Sequence, residues 1–304
     1  MTYLLFYLLS LLPLRILYII SDCCYFWLYR VFRYRRYIVR KNLTDSFPEK
    51  TEGQRRDIER RFYHWLCDYF LETVKLTTMS RKEMHRRMQF PGIEQMNADL
   101  AQGRSVCILL GHYCNWEWVS SIPSHCPPQT QGAQIFHPLE NKTFDNIFCR
   151  IRTRFGSKNI RKDDTFQTLL RWKKEGRTCY TGFIADQVPG YKEMHYWTTF
   201  LSHPQTPVFT GAERLSRILD YTVYYVDLRR PRRGYYVGTF IKLTDNPGAL
   251  PKFQLTQRYV EMLEATIRRN PPYWLWSHNR WKRTRTEFDA LFNEQERQRI
   301  LNKL

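Results

Sequence analysis

His112 and Glu117 are the two side chains best placed by type and spacing to do chemistry together. They lie in SVCILLGHYCNWEWVSS, residues 105–121, where an apolar run ends at Gly111 and His112 follows at once. A neutral imidazole takes a proton from a hydroxyl. A carboxylate on its other ring nitrogen fixes the tautomer and stabilises the imidazolium that forms. Five steps along one continuous helix would turn these side chains apart. The pair therefore converges only if His112 sits in a turn and Glu117 in the first turn of a helix opening near Asn115. The expectation is a general base, His112, oriented by Glu117 and acting on the substrate's own hydroxyl. His-x4-Glu alone is weak evidence, because a lone histidine is more often structural. The strand–Gly–His setting strengthens it, since ligands of α/β sheets bind at the carboxyl ends of strands. Cys114 has no second His or Asn at a spacing that would make it a nucleophile. A metal site at His112 and Glu117 would need a third ligand that the sequence does not place.

These residues need a sheet to hold them. Strand-like runs occur at Ser105–Leu110, Gly132–Phe136, Thr178–Ala185, Thr222–Asp227 and Tyr235–Leu243. Helical periodicity appears over Gln54–Met79, where Ile58, Phe62, Trp65, Leu66, Tyr69 and Phe70 share one face. Further helical stretches lie around Trp116–Ile122, Thr143–Phe155, Thr165–Lys174, Val208–Leu219 and Leu255–Arg269. Alternating strands and helices predict an α/β fold with a mixed, largely parallel sheet flanked by helices.

The chain has 304 residues and 48 Lys+Arg against 29 Asp+Glu, a net charge of +19. Such a surplus calls for an anionic partner: an acidic membrane surface, an acidic protein or substrate, or nucleic acid. The N-terminus narrows that choice. Tyr3–Ile20 is nearly all apolar but holds Pro13 and Arg15, and RVFRYRRYIVRK (30–41) follows with six basic residues and no acidic one. An apolar helix beside a basic, aromatic stretch suits a cytoplasmic headgroup layer. The expectation is a membrane-anchoring helix with a basic juxtamembrane segment over residues 1–44, then a catalytic domain over 45–304. A secretory leader is a poor fit, because there is neither a basic start nor a small-residue cleavage site. No nucleic-acid recognition motif appears, so nucleic acid is not an expected partner. The eight cysteines include no CxxC pair and are read as reduced thiols.

VRKNLTDSFPEKT (39–51), LLGHYCNWEW (109–118), FIADQVPG (183–190) and WLWSHNRWKRTR (274–285) occur in an order that resembles the lipid A biosynthesis lauroyl/myristoyl acyltransferases, a branch of the glycerolipid acyltransferase superfamily. The resemblance covers nearly the whole chain. It implies catalysis by His112 and Glu117, and transfer of a fatty acyl chain from acyl carrier protein, or coenzyme A, to a hydroxyl of a lipid A precursor. It implies no metal and no resident cofactor, and a place at the cytoplasmic face of the inner membrane. The block QIFHPLENKTFD (134–145) departs from the family, which often has Arg where this chain has His137. A contact to phosphate or oxyanion at that position falls to His137, or to Arg150, Arg152, Arg154 or Arg161. The same chemistry on a lysophospholipid, aminolipid or glycolipid is the alternative.

The remaining candidates for substrate contact are Asn115, Asp186, Gln187 and Arg280. Asp186 and Gln187 end an apolar run at the sheet edge expected to carry His112. There Asp186 would touch substrate, hold the active-site loops, or merely cap the turn before Pro189–Gly190. Arg280 is the best-placed cation in the aromatic, basic stretch PPYWLWSHNRWKRTR, which would bind phosphate or the acidic carrier protein. His64, His125, His195 and His203 read as packing or surface residues.

Overall fold

The computed structural model describes residues 2–303. Its strands are β1 (Met88–Gln89), β2 (Val106–Leu110), β3 (Gln131–Phe136), β4 (Lys158–Arg161), β5 (Cys179–Ile184), β6 (Tyr196–Phe200), β7 (His203–Val208), β8 (Thr222–Arg232) and β9 (Tyr235–Thr244). Seven of them form one sheet in the order β1-β9-β8-β2-β5-β3-β4. Every neighbouring pair is parallel except β8 and β9, which form a hairpin. The expectation of a largely parallel sheet flanked by helices holds. The β6–β7 pair is separate and antiparallel and was not foreseen, and neither was β4. β2 lies near the middle of the sheet and is buried along its whole length, which is why it reads as an unbroken apolar run.

Four helices open the chain: α1 (Thr2–Leu11), α2 (Leu14–Tyr25), α3 (Arg36–Ser46) and α4 (Glu52–Leu76). Thr51 caps α4 in a reciprocal box with Gln54. The expected apolar face of α4 is buried at Ile58, Phe62, Trp65, Leu66 and Tyr69, whereas Phe70 is exposed. The apolar N-terminal segment is two helices rather than one. Pro13 has no N–H and disfavours helix at the residue before it, so α1 ends and the chain turns by 120° into α2. No single helix among the described residues is long and apolar enough to cross a membrane, although α1 together with Leu14–Val31 passes as a bent pair. α2 docks on α4 through buried Leu14 and Leu17, through Ser21 donating to Asp68 at 2.7 Å, and through Tyr18 donating to Glu72 at 2.9 Å.

The helix expected at Trp116–Ile122 is a 3-10 helix that starts at Trp118 rather than an α-helix that opens near Asn115. Cys114 adopts a left-handed φ of 53°, and the chain then makes tight turns into a 3-10 helix, Trp118–His125, with Pro123 inside it. The other predicted helices appear as Lys142–Thr153, Thr165–Lys174, Gly211–Leu219 and Gln254–Arg269. All eight cysteines are free thiols, four of them buried.

Candidate active site

β2 and β5 are parallel neighbours, and Leu110 stands opposite Ile184. Two residues further along each chain come His112 and Asp186, so both side chains leave the same sheet edge side by side. Asp186 binds His112 twice. One carboxylate oxygen lies 2.6 Å from ring Nδ1, and the other accepts the His112 backbone N–H at 2.9 Å. The second oxygen also accepts the Trp274 indole N–H at 2.7 Å. Gly111 makes room for this approach, because a Cβ there would meet Leu263 at 2.5 Å and Asp186 at 3.4 Å.

Burial alone would raise the Asp186 carboxyl. The charge of His112 and the hydrogen bonds from its ring, its backbone and Trp274 outweigh that and hold the group down to about 2. An ionised carboxylate only accepts, so Nδ1 of His112 carries a proton, and in the neutral form of the ring the lone pair is on Nε2. Nε2 faces the Gln187 amide nitrogen at 3.4 Å, a long bond that a better donor would replace. The edge of the imidazole rests on Trp116, with ring centres 5.1 Å apart.

Glu117 does not orient His112, and that expectation is corrected. Its carboxylate takes a bidentate grip from Arg152, at 2.7 Å from Nε and 2.5 Å from the terminal nitrogen, with the Tyr69 hydroxyl at 3.5 Å. Burial works against the Arg152 charge, but the Glu117 carboxylate more than compensates and raises its pKa. The physical reason is that no helix opens at Asn115, so Glu117 is not in a first helical turn. The turns after His112 carry Glu117 away from the imidazole to the helix Lys142–Thr153, which supplies Arg152.

His112, Glu117 and Arg152 nevertheless line one cavity of about 710 Å³. Its inner wall is apolar: Ile108, Leu110, Val119, Ile122, Gly182 and Ile184. Its polar and charged lining includes His137, Lys162, Gln187, His278, Lys282 and Arg283. His278 is held neutral, its pKa lowered to about 4 chiefly by burial.

A family model for bacterial lipid A biosynthesis acyltransferases matches residues 2–283. The chain belongs to that family. Among its relatives, a lipid A biosynthesis acyltransferase of Haemophilus influenzae is 21% identical over 262 residues, covering 82% of this chain and 76% of that one. Lipid A biosynthesis acyltransferase 2 of Shigella flexneri is 24% identical over 188 residues, 61% of this chain and 58% of that one. A lipid A biosynthesis myristoyltransferase of Escherichia coli is 23% identical over 168 residues, 54% of this chain and 50% of its own length. This member of the family is an enzyme that transfers acyl groups.

Within this acyltransferase the other sequence candidates divide. Gln187 meets His112 and lines the cavity. His137 is exposed and lines the cavity, its Nδ1 3.1 Å from the Pro138 carbonyl. Asn115 is corrected from substrate contact to scaffold: it is fully buried, donates to Glu72 at 2.8 Å and accepts from the Trp118 backbone at 3.2 Å. Arg161 is exposed at the end of β4, next to Lys162 of the cavity wall. Arg280 stands outside the wall. Its buried side chain makes one hydrogen bond among the described residues, to the Pro207 carbonyl at 2.5 Å, and desolvation lowers its pKa to about 10.

Sequence reasoning missed the His112–Asp186 partnership, although a signal was present. LLGH and FIAD share one pattern, an apolar strand, a small residue and then a functional side chain. Two such patterns on adjacent parallel strands in register must place those side chains together. It also left Arg152 as one of four interchangeable arginines, and the structure shows which carboxylate that arginine serves.

Proposed function

We propose that this protein moves a fatty acyl chain from an acyl thioester to a hydroxyl of a lipid A precursor, with His112 as general base held by Asp186. The observation that carries this reading is an imidazole with its Nδ1 proton committed to a buried carboxylate and its Nε2 turned to a cavity with an apolar wall, where it meets only the long Gln187 contact. The acceptor hydroxyl displaces the Gln187 amide and hands its proton to Nε2. Its oxygen then attacks the thioester carbonyl carbon, the carbon–sulfur bond breaks, and the thiolate leaves with the proton from the imidazolium. Asp186 stabilises that imidazolium. A thioester is already activated, so the reaction asks for no resident metal or cofactor. The apolar wall suits the acyl chain, and Lys162, Lys282 and Arg283 suit the phosphates of the acceptor. The donor is an acyl carrier protein, an acidic protein to which a +19 chain is attracted, or coenzyme A.

The site lies at a membrane surface, by this reading the cytoplasmic face of the inner membrane. Among the described residues, fourteen of the twenty exposed large apolar side chains belong to residues 3–37, including Leu4, Leu5, Leu8, Ile19, Trp27 and Phe32. Arg30 and Arg33 stand exposed in the same stretch and pair with no carboxylate among the described residues. Apolar bulk beside unpaired basic charge favours an anionic interface, with the bent α1–α2 pair lying in it. The same segment borders the active site, because Arg35 donates to the Ser277 carbonyl at 3.1 Å and Asn42 to the His278 carbonyl at 3.0 Å.

The test is acyl transfer by the purified, detergent-dispersed protein, with lipid A precursor and lysophospholipid as acceptors and carrier-protein and coenzyme A thioesters as donors. Mass spectrometry should find one acyl chain added to the lipid A precursor, and none with His112→Ala. Acylation of the lysophospholipid alone would overturn the acceptor.

A further inference from the structure

We infer that Tyr180 closes the inner end of the cavity and sets the longest acyl chain that fits; this deepens the acyl-transfer reading above. In the parallel register Val106 faces Tyr180, Ile108 faces Gly182 and Leu110 faces Ile184, so these side chains form one continuous wall. Moving inward from His112, that wall offers Ile184, then Gly182, then Tyr180. Gly182 has no side chain and leaves the floor open. Tyr180 ends the opening with a ring that reaches across to β3, where a Cβ on Gly132 would lie 2.4 Å from its hydroxyl. Only glycine at 132 admits the ring there. Val119 and Ile122 of the overlying 3-10 helix line the same cavity.

The Tyr180 hydroxyl is buried beside the Cys126 thiol, a weak partner at best. Burial raises its pKa, so the group stays neutral. A thiol compensates a buried hydroxyl poorly, so folding gives little reason to prefer Tyr over Phe. What the position supplies is bulk at the end of an apolar slot. From the level of His112 to that of Tyr180 is six residues, roughly 20 Å at about 3.3 Å per strand residue. A van der Waals gap of about 4 Å to the ring leaves roughly 16 Å. With C–C bonds of about 1.5 Å in a zigzag, that accommodates on the order of 12 carbons.

The experiment measures binding and transfer side by side for even-numbered donors from octanoyl to stearoyl, in the wild type and in Tyr180→Phe, Tyr180→Leu and Tyr180→Ala. Binding is read by displacement of a fluorescent fatty acid. The wild type should show a sharp upper limit. Phe should keep that limit, while Leu and Ala should move it stepwise to longer chains, by about four carbons for Ala at roughly 1.3 Å per carbon. The Leu variant covers the case in which Ala fails to fold. An unchanged limit in folded Leu or Ala variants overturns the inference. A limit that moves in binding, without transfer to any acceptor by the wild type, supports the closed end and overturns the reaction instead.

Discussion

Asp186 holds His112 by both its ring and its backbone, at 2.6 and 2.9 Å, although the two residues are 74 positions apart in the chain. A carboxylate bound at two points fixes where the imidazole sits as well as which nitrogen keeps the proton. In that arrangement Asp186 is a positioning residue and His112 the group that meets substrate.

Asp186→Asn should therefore lower kcat by roughly 10²–10⁴-fold, close to the effect of His112→Ala. KM should change little, because the apolar wall is untouched. Steady-state kinetics with circular dichroism on each folded variant checks this. A fully active Asp186→Asn enzyme would falsify the assignment.

Glu117 should behave differently. Removing it leaves the Arg152 guanidinium, three-quarters buried, without its partner. Glu117→Ala should cost about 3 kcal/mol of stability, the lower end for a broken buried pair because Arg152 keeps some solvent. A Glu117→Leu/Arg152→Met double variant should recover most of it. Urea unfolding of the singles and the double gives the coupling. If Glu117→Gln instead reproduced the kinetics of Asp186→Asn at unchanged stability, the two acids would have exchanged roles.

Acid should destabilise the protein through Asp186. Its carboxyl is held near 2, below the ordinary 3.8, so the folded state favours the ionised form. The stabilisation is fully present above pH 3.8 and is lost as pH falls through 2, about 2 kcal/mol in all. Urea midpoints measured as pH falls from above 3.8 to about 2 should fall less steeply in Asp186→Asn than in the wild type. Parallel slopes would contradict the ion pair.

Replacing Leu4, Leu5, Leu8 and Trp27 with Ser should abolish binding to vesicles containing anionic lipid while leaving the melting temperature almost unchanged. These side chains are more than half exposed and contribute little to the core. Removal of α2 as well should damage the fold, since Leu14, Leu17 and Ser21 are buried against α4. Wild-type binding should weaken with added salt, as screening of Arg30 and Arg33 requires. Flotation assays decide it, and undiminished flotation of the Ser variant would remove α1 and Trp27 as the attachment.

Much of this molecule is legible in local sequence. β2 and β5 announce themselves as apolar runs, α4 as a periodic face, and His112 as a histidine at a strand end beside a glycine. Each of these depends on residues a few positions apart. Pro13 already marks the break between α1 and α2, although its 120° turn depends on how both helices pack. The partner of His112 is a different kind of fact. It follows from β5 lying beside β2 while β3 and β4, which separate the two in sequence, lie outside β5, and from a register that no local pattern contains. Glu117, five residues away, is close in sequence yet turned toward Arg152, because the intervening backbone forms tight turns instead of a helix. Local spacing could nominate a base and an acid, but only the order and register of the strands decided which acid meets which base.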